Sequence, residues 1–407
     1  MIQGLTLVKY LTLRLVLILA WTSLTPAWGA APAATARTMT PAPPQLNAKA
    51  WVLIDAATGS IISSQNGDEH LPPASLTKLM TVYVATREIQ AGQITSEDLV
   101  TVSENAWRTG GSRMFLDPGS TVSVHDLLRG VVIDSGNDAS VALAEHIAGS
   151  EDAFVGLMNA TAKKLGLNNT HFMNPTGLPA PEHYSSANDM AKLARSIIND
   201  ESAYYSLYAQ KHFTWNSIRQ SNRNLLLWRD PNVDGLKTGH TEAAGYCMVA
   251  SAVMENKRLI SAVFGSSSSN SRAQDTQKLL AYGFRFYDTQ TYEQGGRVLT
   301  SKAIWKGMER TIAVGLLDDL TLTLPKNQNR KVETRLRIDT PLLAPITIGT
   351  VIGTFDLYEG DQRLASRPLV ALGAVEQGSW WTRGWDTVHL FFVGLFQGWA
   401  SEEGSNK

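Results

Sequence analysis

The order of strand-like and helix-like segments in residues 47–288 is the feature that most restricts the fold. Residues 51–55, four apolar residues followed by Asp55, and the apolar residues 61–62 flank a glycine-containing turn, which is typical of a hairpin. Two more strand-like runs, 246–253 and 259–264, lie towards the other end of the segment on either side of a short polar turn. Between these ends, apolar residues recur at helical spacing. The helical runs are 123–132, 139–147, 153–165 and 188–198. Strands at both ends with helices between them predict an α+β domain with a mainly antiparallel sheet.

One predicted helix begins beside a serine and a lysine three residues apart. Ser75 and Lys78 precede apolar residues at helical spacing that continue to Ile89. Positions three apart share a helix face, so the lysine amine would lie within reach of the serine oxygen. A serine can act as a nucleophile beside a lysine if burial or cationic neighbours lower the lysine pKa. A Ser-x-x-Lys pair also arises by chance, as a helix-start serine with a solvated lysine.

Two later polar segments could join this pair. Ser135 and Asn137 flank a glycine between two apolar helical runs, and they would direct a hydroxyl and an amide towards one point. Lys237, Thr238 and Gly239 combine a charge, a hydroxyl and room for close backbone approach, which suits an anionic substrate terminus. Taken separately, the first segment is also typical of a capped helix connection and the second of a solvated lysine in a turn.

The three motifs, in this order, resemble the signature of the penicillin-recognising serine acyl-transfer enzymes. The surrounding residues resemble those of the low-molecular-mass penicillin-binding proteins that act as D-alanyl-D-alanine carboxypeptidases. The segments that carry this resemblance are 72–79, 135–139, 174–178, 232–245 and 283–287. The resemblance implies a serine transpeptidase-like fold and removal of the last D-alanine from the pentapeptide stem of peptidoglycan. It also implies inhibition by β-lactam antibiotics, which would acylate the same serine.

The resemblance assigns roles in acyl transfer to individual residues. Ser75 is expected to attack the penultimate carbonyl carbon while Lys78 takes its proton. Ser135 and Asn137 are expected to pass a proton to the leaving amine and to position the substrate amide. The backbone N–H groups of Ser75 and His240 would form the oxyanion hole.

The resemblance also implies a binding site for the carboxylate of the substrate. Lys237 and Thr238 are expected to receive it, beside the close-approach position at Gly239. Arg272 occupies a similar position to an arginine that helps to hold this carboxylate. The side chain of His240 is expected to support the site from outside the reacting atoms. No metal or organic cofactor is implied, since the chain has no His-Glu-x-x-His motif and no phosphate loop.

Several other functions are compatible with parts of the sequence. A class A β-lactamase would need a deacylating glutamate, but the loop 174–186 contains only Glu182, without a Glu-x-x-Leu-Asn context. A D,D-endopeptidase cannot be separated from a carboxypeptidase, because both substrates present a carboxylate. A non-catalytic peptidoglycan-binding protein would not need the Ser75–Lys78 pair. A Ser-His-Asp triad is not excluded, although no Gly-x-Ser-x-Gly elbow occurs.

The N-terminal residues are predicted to lie outside the folded domain. Residues 1–29 combine two basic residues, an apolar segment and a small-residue cleavage site, which is typical of a signal peptide, with an uncleaved anchor as the alternative. Residues 30–46 are rich in Ala, Pro and Thr and predict a flexible leader. The single cysteine, Cys247, excludes an internal disulfide and is predicted to be a buried thiol. The net charge of −1 does not suggest a nucleic-acid partner.

Residues 289–378 differ from the preceding domain in their pattern. Short alternating or β-branched runs, separated by turn signals, predict a small all-β, sandwich-like domain. No catalytic constellation occurs in it. A spacer between other parts of the protein and a partner-docking surface are both compatible with this pattern.

Residues 379–400 predict an amphipathic helix. Its apolar stripe lies opposite Asp386, and tryptophans favour a membrane interface, whereas glycines and polar residues disfavour a transmembrane span. The stripe consists of Trp381, Trp385, Val388, Phe392, Leu395, Phe396 and Trp399. A helix packed on the β-domain is the alternative. The resemblance implies peripheral attachment to the periplasmic face of the inner membrane.

Overall fold

A computed structural model describes residues 40–200, 202–326 and 330–403, except for the side chains of 202 and 393–403. The predicted signal peptide and residues 30–39 of the predicted leader lie outside these residues. At the C-terminal end of the leader, Pro41 accepts a hydrogen bond from the Tyr282 hydroxyl at 2.9 Å. Leu46 packs against a buried cluster of the first domain. The last residues of the leader therefore contact the folded chain.

An antiparallel sheet forms the centre of the first domain. The strands of this domain are β1 (Ala50–Asp55), β2 (Ile61–Gln65), β3 (Leu99–Thr101), β4 (Thr121–Ser123), β5 (His212–Trp215), β6 (Ile218–Ser221), β7 (Val233–Thr241), β8 (Gly245–Met254) and β9 (Lys257–Ser266). Five of them pair in the order β2-β1-β9-β8-β7. Both predicted hairpins, β1–β2 and β8–β9, are confirmed. Because β1 pairs with β9, the two ends of the domain meet in one sheet.

Helices cover both faces of this sheet. They are α1 (Lys78–Gln90), α2 (Glu104–Arg108), α3 (Val124–Arg129), α4 (Asn137–Ala148), α5 (Glu151–Lys164), α6 (Ala187–Asp200), α7 (Ser202–Tyr205), α8 (Leu226–Arg229) and α9 (Ser269–Phe286). Alternate side chains of β1 enter two different buried clusters, since successive residues of a strand point to opposite faces. Val52 packs in the cluster that contains Leu79 of α1, whereas Leu53 packs in the cluster that contains Leu279 of α9. The predicted α+β architecture is confirmed.

The second domain is all-β, as predicted. Its strands are β10 (Tyr287–Glu293), β11 (Thr300–Trp305), β12 (Thr311–Gly315), β13 (Leu320–Pro325), β14 (Glu333–Ile338), β15 (Leu342–Leu343), β16 (Val351–Glu359) and β17 (Gln362–Ala371). Six strands pair in the order β14-β16-β17-β12-β11-β15, and β10 pairs with β13. Val314, Phe355 and Leu369 are fully buried in its apolar core.

A small polar joint connects the two domains. Asp55, at the end of β1, is fully buried and accepts a hydrogen bond from the Thr289 hydroxyl of β10 at 2.6 Å. The hydroxyls of Thr58 and Thr323 are 2.7 Å apart in the same joint. These contacts hold the first strand of the β-domain against the end of β1.

The C-terminal helix, α10 (Trp380–Glu403), docks on the β-domain through a buried carboxylate. Asp386 is 3% exposed, and it accepts hydrogen bonds from the backbone N–H of Lys306 at 2.5 Å and from the guanidinium of Arg310 at 2.9 and 3.0 Å. Trp381 and Trp385 are 70% and 76% exposed. Among the described helices, none combines the length and the apolar content needed to cross a bilayer.

Candidate active site

A short 3₁₀ turn, Ala74–Thr77, carries Ser75 and leads directly into α1. Helix α1 begins at Lys78, and the Lys78 Nζ lies 3.1 Å from the Ser75 Oγ. The first backbone N–H groups of a helical segment have no partner within it and lie at the positive end of the helix dipole. The turn therefore places the Lys78 amine beside the Ser75 hydroxyl, at the positive end of the helix.

Lys78 is fully buried, and its amine has three partners. It donates to Ser75, to Asn137 Oδ1 at 2.6 Å and to the carbonyl oxygen of Thr176 at 2.5 Å. Burial, assisted by the positive charge of Arg223, lowers the pKa of Lys78 to about 7. A lysine with this pKa can accept a proton near neutral pH, which an exposed lysine cannot do.

The predicted Ser-Gly-Asn turn lies between two helical segments. A π-helical turn, Gly130–Asp134, ends at Ser135, which has left-handed backbone angles (φ 59°, ψ 34°), and α4 begins at Asn137. This change of direction points the two side chains into the site. Ser135 and Asn137 are 2% and 4% exposed. Asn137 also donates from Nδ2 to the carbonyl of Gly110 at 2.6 Å, which fixes the orientation of its amide.

The Lys-Thr-Gly segment lies on β7, the edge strand of the sheet. Lys237 is 3% exposed and its amine donates to Ser135 Oγ at 2.9 Å. Burial, followed by the nearby Lys78 charge, lowers the pKa of Lys237 well below its usual range. Thr238 is 5% exposed beside it. The Ser-Gly-Asn turn thus contacts both amines: Ser135 accepts from Lys237 and Asn137 accepts from Lys78.

Gly239 allows β7 to approach the serine turn. A Cβ atom at this position would lie 3.0 Å from the carbonyl oxygen of Pro73 and 3.2 Å from the backbone nitrogen of Ser75. Any side chain would therefore push the strand away from Ser75. The next residue, His240, has an exposed side chain whose ring lies 4.1 Å from the ring of Tyr246.

Arg272 of α9 lies behind the edge strand and is 4% exposed. Its guanidinium donates to the carbonyl oxygens of Gly239 and Cys247, both at 3.2 Å. Its Nε is buried and has no hydrogen-bond partner among the described residues. Burial lowers the pKa of Arg272 to about 10. Cys247 is buried, as predicted, and burial raises the pKa of its thiol to about 11.

Three contributions to the site were not identified from the sequence. The carbonyl oxygen of Thr176 binds the Lys78 amine, and every residue has a carbonyl group, so side-chain patterns carry no signal for it. Gly177, with φ +84°, packs against the serine turn, where a Cβ atom would lie 1.9 Å from the carbonyl oxygen of Ala74. Arg223 has an exposed side chain that bonds to Ser112, and it lowers the pKa of both active-site lysines. Its local sequence does not distinguish it from a solvated arginine.

An open, mainly apolar cavity of about 320 Å³ adjoins the serine turn. Its walls include Pro73, Leu178, Pro181 and Thr241, which belong to the serine turn, the loop before α6 and the end of β7. Among the described residues, no group of three or more His, Cys, Asp or Glu side chains is placed to hold a metal ion.

Comparison with known proteins agrees with this geometry. A family model described as D-alanyl-D-alanine carboxypeptidase matches residues 37–268. The chain is 43% identical over 379 residues to the D-alanyl-D-alanine carboxypeptidase DacC of Escherichia coli (strain K12), with 91% of this chain and 95% of that relative covered. The chain belongs to the D-alanyl-D-alanine carboxypeptidase family. A second model, described as the C-terminal domain of penicillin-binding protein 5, matches residues 286–377 of this family member.

Solved structures of the carboxypeptidase family and its penicillin-binding relatives share the fold. Penicillin-binding protein 5 from Haemophilus influenzae is 42% identical and gives a TM-score of 0.80, covering 83% of this chain and all of that chain. Penicillin-binding protein 6B from Escherichia coli is 41% identical with a TM-score of 0.70, covering 81% of this chain and 97% of that chain. The chain is therefore an enzyme of the serine-type carboxypeptidase class, as its sequence motifs predict. These comparisons do not favour the β-lactamase, endopeptidase or non-catalytic alternatives.

Proposed function

We propose that this enzyme removes the C-terminal D-alanine from peptidoglycan pentapeptide stems through an acyl-enzyme on Ser75. The pairing of the Ser75 hydroxyl with the buried Lys78 amine, 3.1 Å away, carries the proposal. Because the Lys78 pKa is lowered to about 7, a substantial fraction of these amines is neutral at pH 7. A neutral amine at this distance can take the serine proton as the hydroxyl attacks.

The proposed reaction has two steps. Ser75 Oγ forms a bond to the penultimate carbonyl carbon, its proton passes to Lys78, and the oxyanion is bound by the N–H groups of Ser75 and His240. The C–N bond then breaks, and the amine of the leaving D-alanine takes a proton through Ser135, whose hydroxyl contacts the Lys237 amine. Water hydrolyses the resulting ester in the second step, which releases the shortened stem and restores Ser75. Asn137, fixed by Gly110, would orient the substrate amide.

The substrate carboxylate would be bound at β7. Lys237 lies on the edge strand with its amine on Ser135, and Thr238 is the next residue of the strand. Arg272 supports this end of the site from behind the strand, where its guanidinium holds the carbonyl oxygen of Gly239. A carboxylate entering here would raise the proton affinity of Lys237 and be held by a charge-assisted hydrogen bond.

We also propose that the enzyme is exported and attached to the periplasmic face of the inner membrane. The signal-like residues 1–29 support export. On α10, the Asp386 side is occupied by the β-domain, whereas Trp381 and Trp385 remain exposed. Indole rings favour the polar–apolar boundary of a bilayer, so the exposed face suits shallow insertion among lipid headgroups.

The acyl-enzyme is tested by intact-mass spectrometry after brief exposure to benzylpenicillin, together with assay of D-alanine release from a pentapeptide. Wild type and Ser60→Ala, a change at an exposed serine, should carry one penicilloyl adduct and release D-alanine. Ser75→Ala should do neither. Rapid penicillin hydrolysis without an adduct would identify a β-lactamase instead. An adduct with cleavage of cross-linked stems but no D-alanine release would identify an endopeptidase, and an unmodified protein with intact drug would indicate a non-catalytic one.

Membrane attachment is tested by flotation with vesicles that contain anionic phospholipid. Replacing Trp381 and Trp385 with serine should abolish flotation of the full chain. Trp228→Ser is the matched control, since Trp228 is 44% exposed but lies on α8 of the catalytic domain. Unchanged flotation of the double variant would overturn attachment through this face.

A further inference from the structure

Asp134 is a buried carboxyl group beside the active site that the reaction above does not use. It is the last residue of the π-helical turn, directly precedes Ser135 and is 2% exposed. Its Oδ1 is buried and has no hydrogen-bond partner among the described residues. Burial without hydrogen-bond donors disfavours a carboxylate and favours the protonated acid.

Asp138, four residues further along the chain in the first turn of α4, is in the opposite situation. It is 1% exposed, yet its two oxygens accept four backbone hydrogen bonds at distances of 2.8 to 3.1 Å. The donors are the N–H groups of Met114, Phe115, Leu116 and Ala139. The two neighbouring carboxyl groups therefore differ in their surroundings: Asp138 is held by four N–H donors, whereas Oδ1 of Asp134 has none among the described residues.

Three cations act electrostatically on Asp134. Burial and then the Asp138 carboxylate raise the pKa of Asp134 to about 7, while Arg223, Arg129 and Lys237 oppose the rise. The Asp134 carboxyl group therefore gains or loses its proton near neutral pH. Lys237 is also the residue proposed to bind the substrate carboxylate.

Other ionisable groups on the elements packed against the π-helical turn have partners or face solvent. Lys78 bonds to Ser75, and Asp126 of α3 lies 3.4 Å from the guanidinium of Arg129. His212 and Arg219 of the β5–β6 hairpin are exposed. The charge state of Asp134 is therefore set chiefly by burial, by Asp138 and by the three cations.

We propose that Asp134 is a positioning residue whose proton controls how strongly the Lys237 site attracts the carboxylate of the substrate. This inference rests on the proposed function of that site. A protonated Asp134 adds no negative charge to the site, so Lys237 and Arg223 act on the substrate without opposition from it. An ionised Asp134 places a negative charge among these cations and repels the incoming carboxylate.

Thermodynamic linkage between proton binding at Asp134 and substrate binding gives the direction in which pH changes the affinity. A bound carboxylate disfavours the ionised form of Asp134, so by reciprocity the ionised form binds the carboxylate less tightly. An ionised Asp134 also compensates the positive charge of Lys237 within the protein, so less of the field of Lys237 is available to the substrate. We therefore expect the affinity for the anionic substrate to fall as pH rises through about 7.

The effects of Lys78 and Asp134 on the kinetics run in opposite directions and can be separated. Deprotonation of Lys78 activates the nucleophile and raises kcat with pH, whereas deprotonation of Asp134 raises KM. The test measures kcat and KM for D-alanine release from a pentapeptide between pH 6 and 8.5. The proteins compared are wild type, Asp134→Asn and Asp126→Asn. The last makes the same chemical change at a half-exposed carboxylate that contacts Arg129.

For wild type and Asp126→Asn, KM is expected to rise about tenfold across this range. For Asp134→Asn, KM should rise at most about threefold, while kcat still increases with pH because Lys78 is intact. Parallel KM profiles for wild type and Asp134→Asn would overturn the inference. Absence of D-alanine release by wild type at every pH would instead overturn the proposed function itself.

A spectroscopic measurement keeps the inference testable if Asp134→Asn does not fold. In Ser75→Ala protein at pH 7.5, the infrared carbonyl band of a protonated carboxylic acid is recorded before and after addition of the pentapeptide. Binding should increase this band, because the substrate carboxylate drives the proton onto Asp134. No change in the band on saturation with peptide would contradict the coupling.

Discussion

The two domains of this protein bury different kinds of side chain. The catalytic domain encloses Lys78, Lys237, Asp134 and Asp138, each at most 3% exposed. In the β-domain, no charged side chain is buried within the described residues 289–326 and 330–378, and the core consists of aliphatic and aromatic residues.

Burying a charged group is unfavourable unless hydrogen bonds or neutralisation compensate it. The catalytic domain uses both forms of compensation: Asp138 is stabilised by four N–H donors, and the pKa of Lys78 is shifted towards the neutral form. This unfavourable arrangement supplies a base and an anion site that solvated residues could not supply. The β-domain has no such chemistry to perform and gains stability from apolar burial alone.

Of the changes to the catalytic domain, removal of the buried Lys78 amine should have the largest effect on activity. Lys78→Met has a similar length but no proton acceptor, so acylation of Ser75 by benzylpenicillin should slow by about ten-thousandfold. The rate of adduct formation, followed by mass spectrometry, measures this. Lys192→Met, at a half-exposed lysine of α6, should acylate like wild type. A Lys78→Met rate within about tenfold of wild type would show that another group takes the serine proton.

Disrupting the apolar core should affect the β-domain and leave the chemistry intact. Phe355→Ala removes a fully buried ring and should lower the free energy of unfolding of the β-domain by about 3–5 kcal/mol. Calorimetry should show earlier unfolding, while Ser75 is still acylated at 25 °C. Val351→Ala, at a 61% exposed position of the same strand, should change stability by less than about 0.5 kcal/mol. Loss of acylation in Phe355→Ala would show that the domains are not energetically separate.

The pH dependence of acylation tests whether burial of Lys78 matters to the rate. Its pKa is about 7, so the neutral, active form disappears as pH falls below that value. At saturating benzylpenicillin, the acylation rate should fall about tenfold per pH unit below pH 7 and level off above it. Stopped-flow rates between pH 5 and 8.5 measure the profile. A flat profile would mean that the lysine does not act as the base.

The smallest predicted effect concerns the single buried carboxylate at the rim of the β-domain. Asp386→Asn loses charge-assisted hydrogen bonds to Lys306 and Arg310 and should weaken docking of α10 by about 1–2 kcal/mol. Hydrogen exchange of residues 380–392 should become faster, with no change in acylation. Glu376→Gln, at an exposed carboxylate just before the helix, is the control. If hydrogen exchange in Asp386→Asn is unchanged, other contacts hold α10 on the β-domain.

Much of the fold was predictable from local patterns. The hairpins β1–β2 and β8–β9, the helices between them and the all-β character of the second domain all follow from apolar periodicity. The pairing of β1 with β9 could not be read in this way, because it joins residues about two hundred positions apart. The helical pattern placed Asp386 opposite the tryptophans, but it did not show that Asp386 accepts a hydrogen bond from the backbone N–H of Lys306.

The candidate site was predictable in its side chains but not in its backbone. Ser75, Lys78, Ser135, Asn137 and Lys237 were identified from their motifs, since a hydroxyl, an amide and an amine are visible as residue types. The carbonyl of Thr176 that binds Lys78 was not, because a backbone group has no residue-specific signal.

The amino-acid sequence by itself determined which chemical groups are available, in what order, and on which helices and strands they lie. These properties depend on residue type and on periods of two or about four residues. Only the tertiary structure decided their ionisation. Lys78 and Asp134 have shifted pKa values because distant segments exclude water and bring other charges close to them. Desolvation and Coulomb interactions depend on distance in space, and folding alone sets that distance.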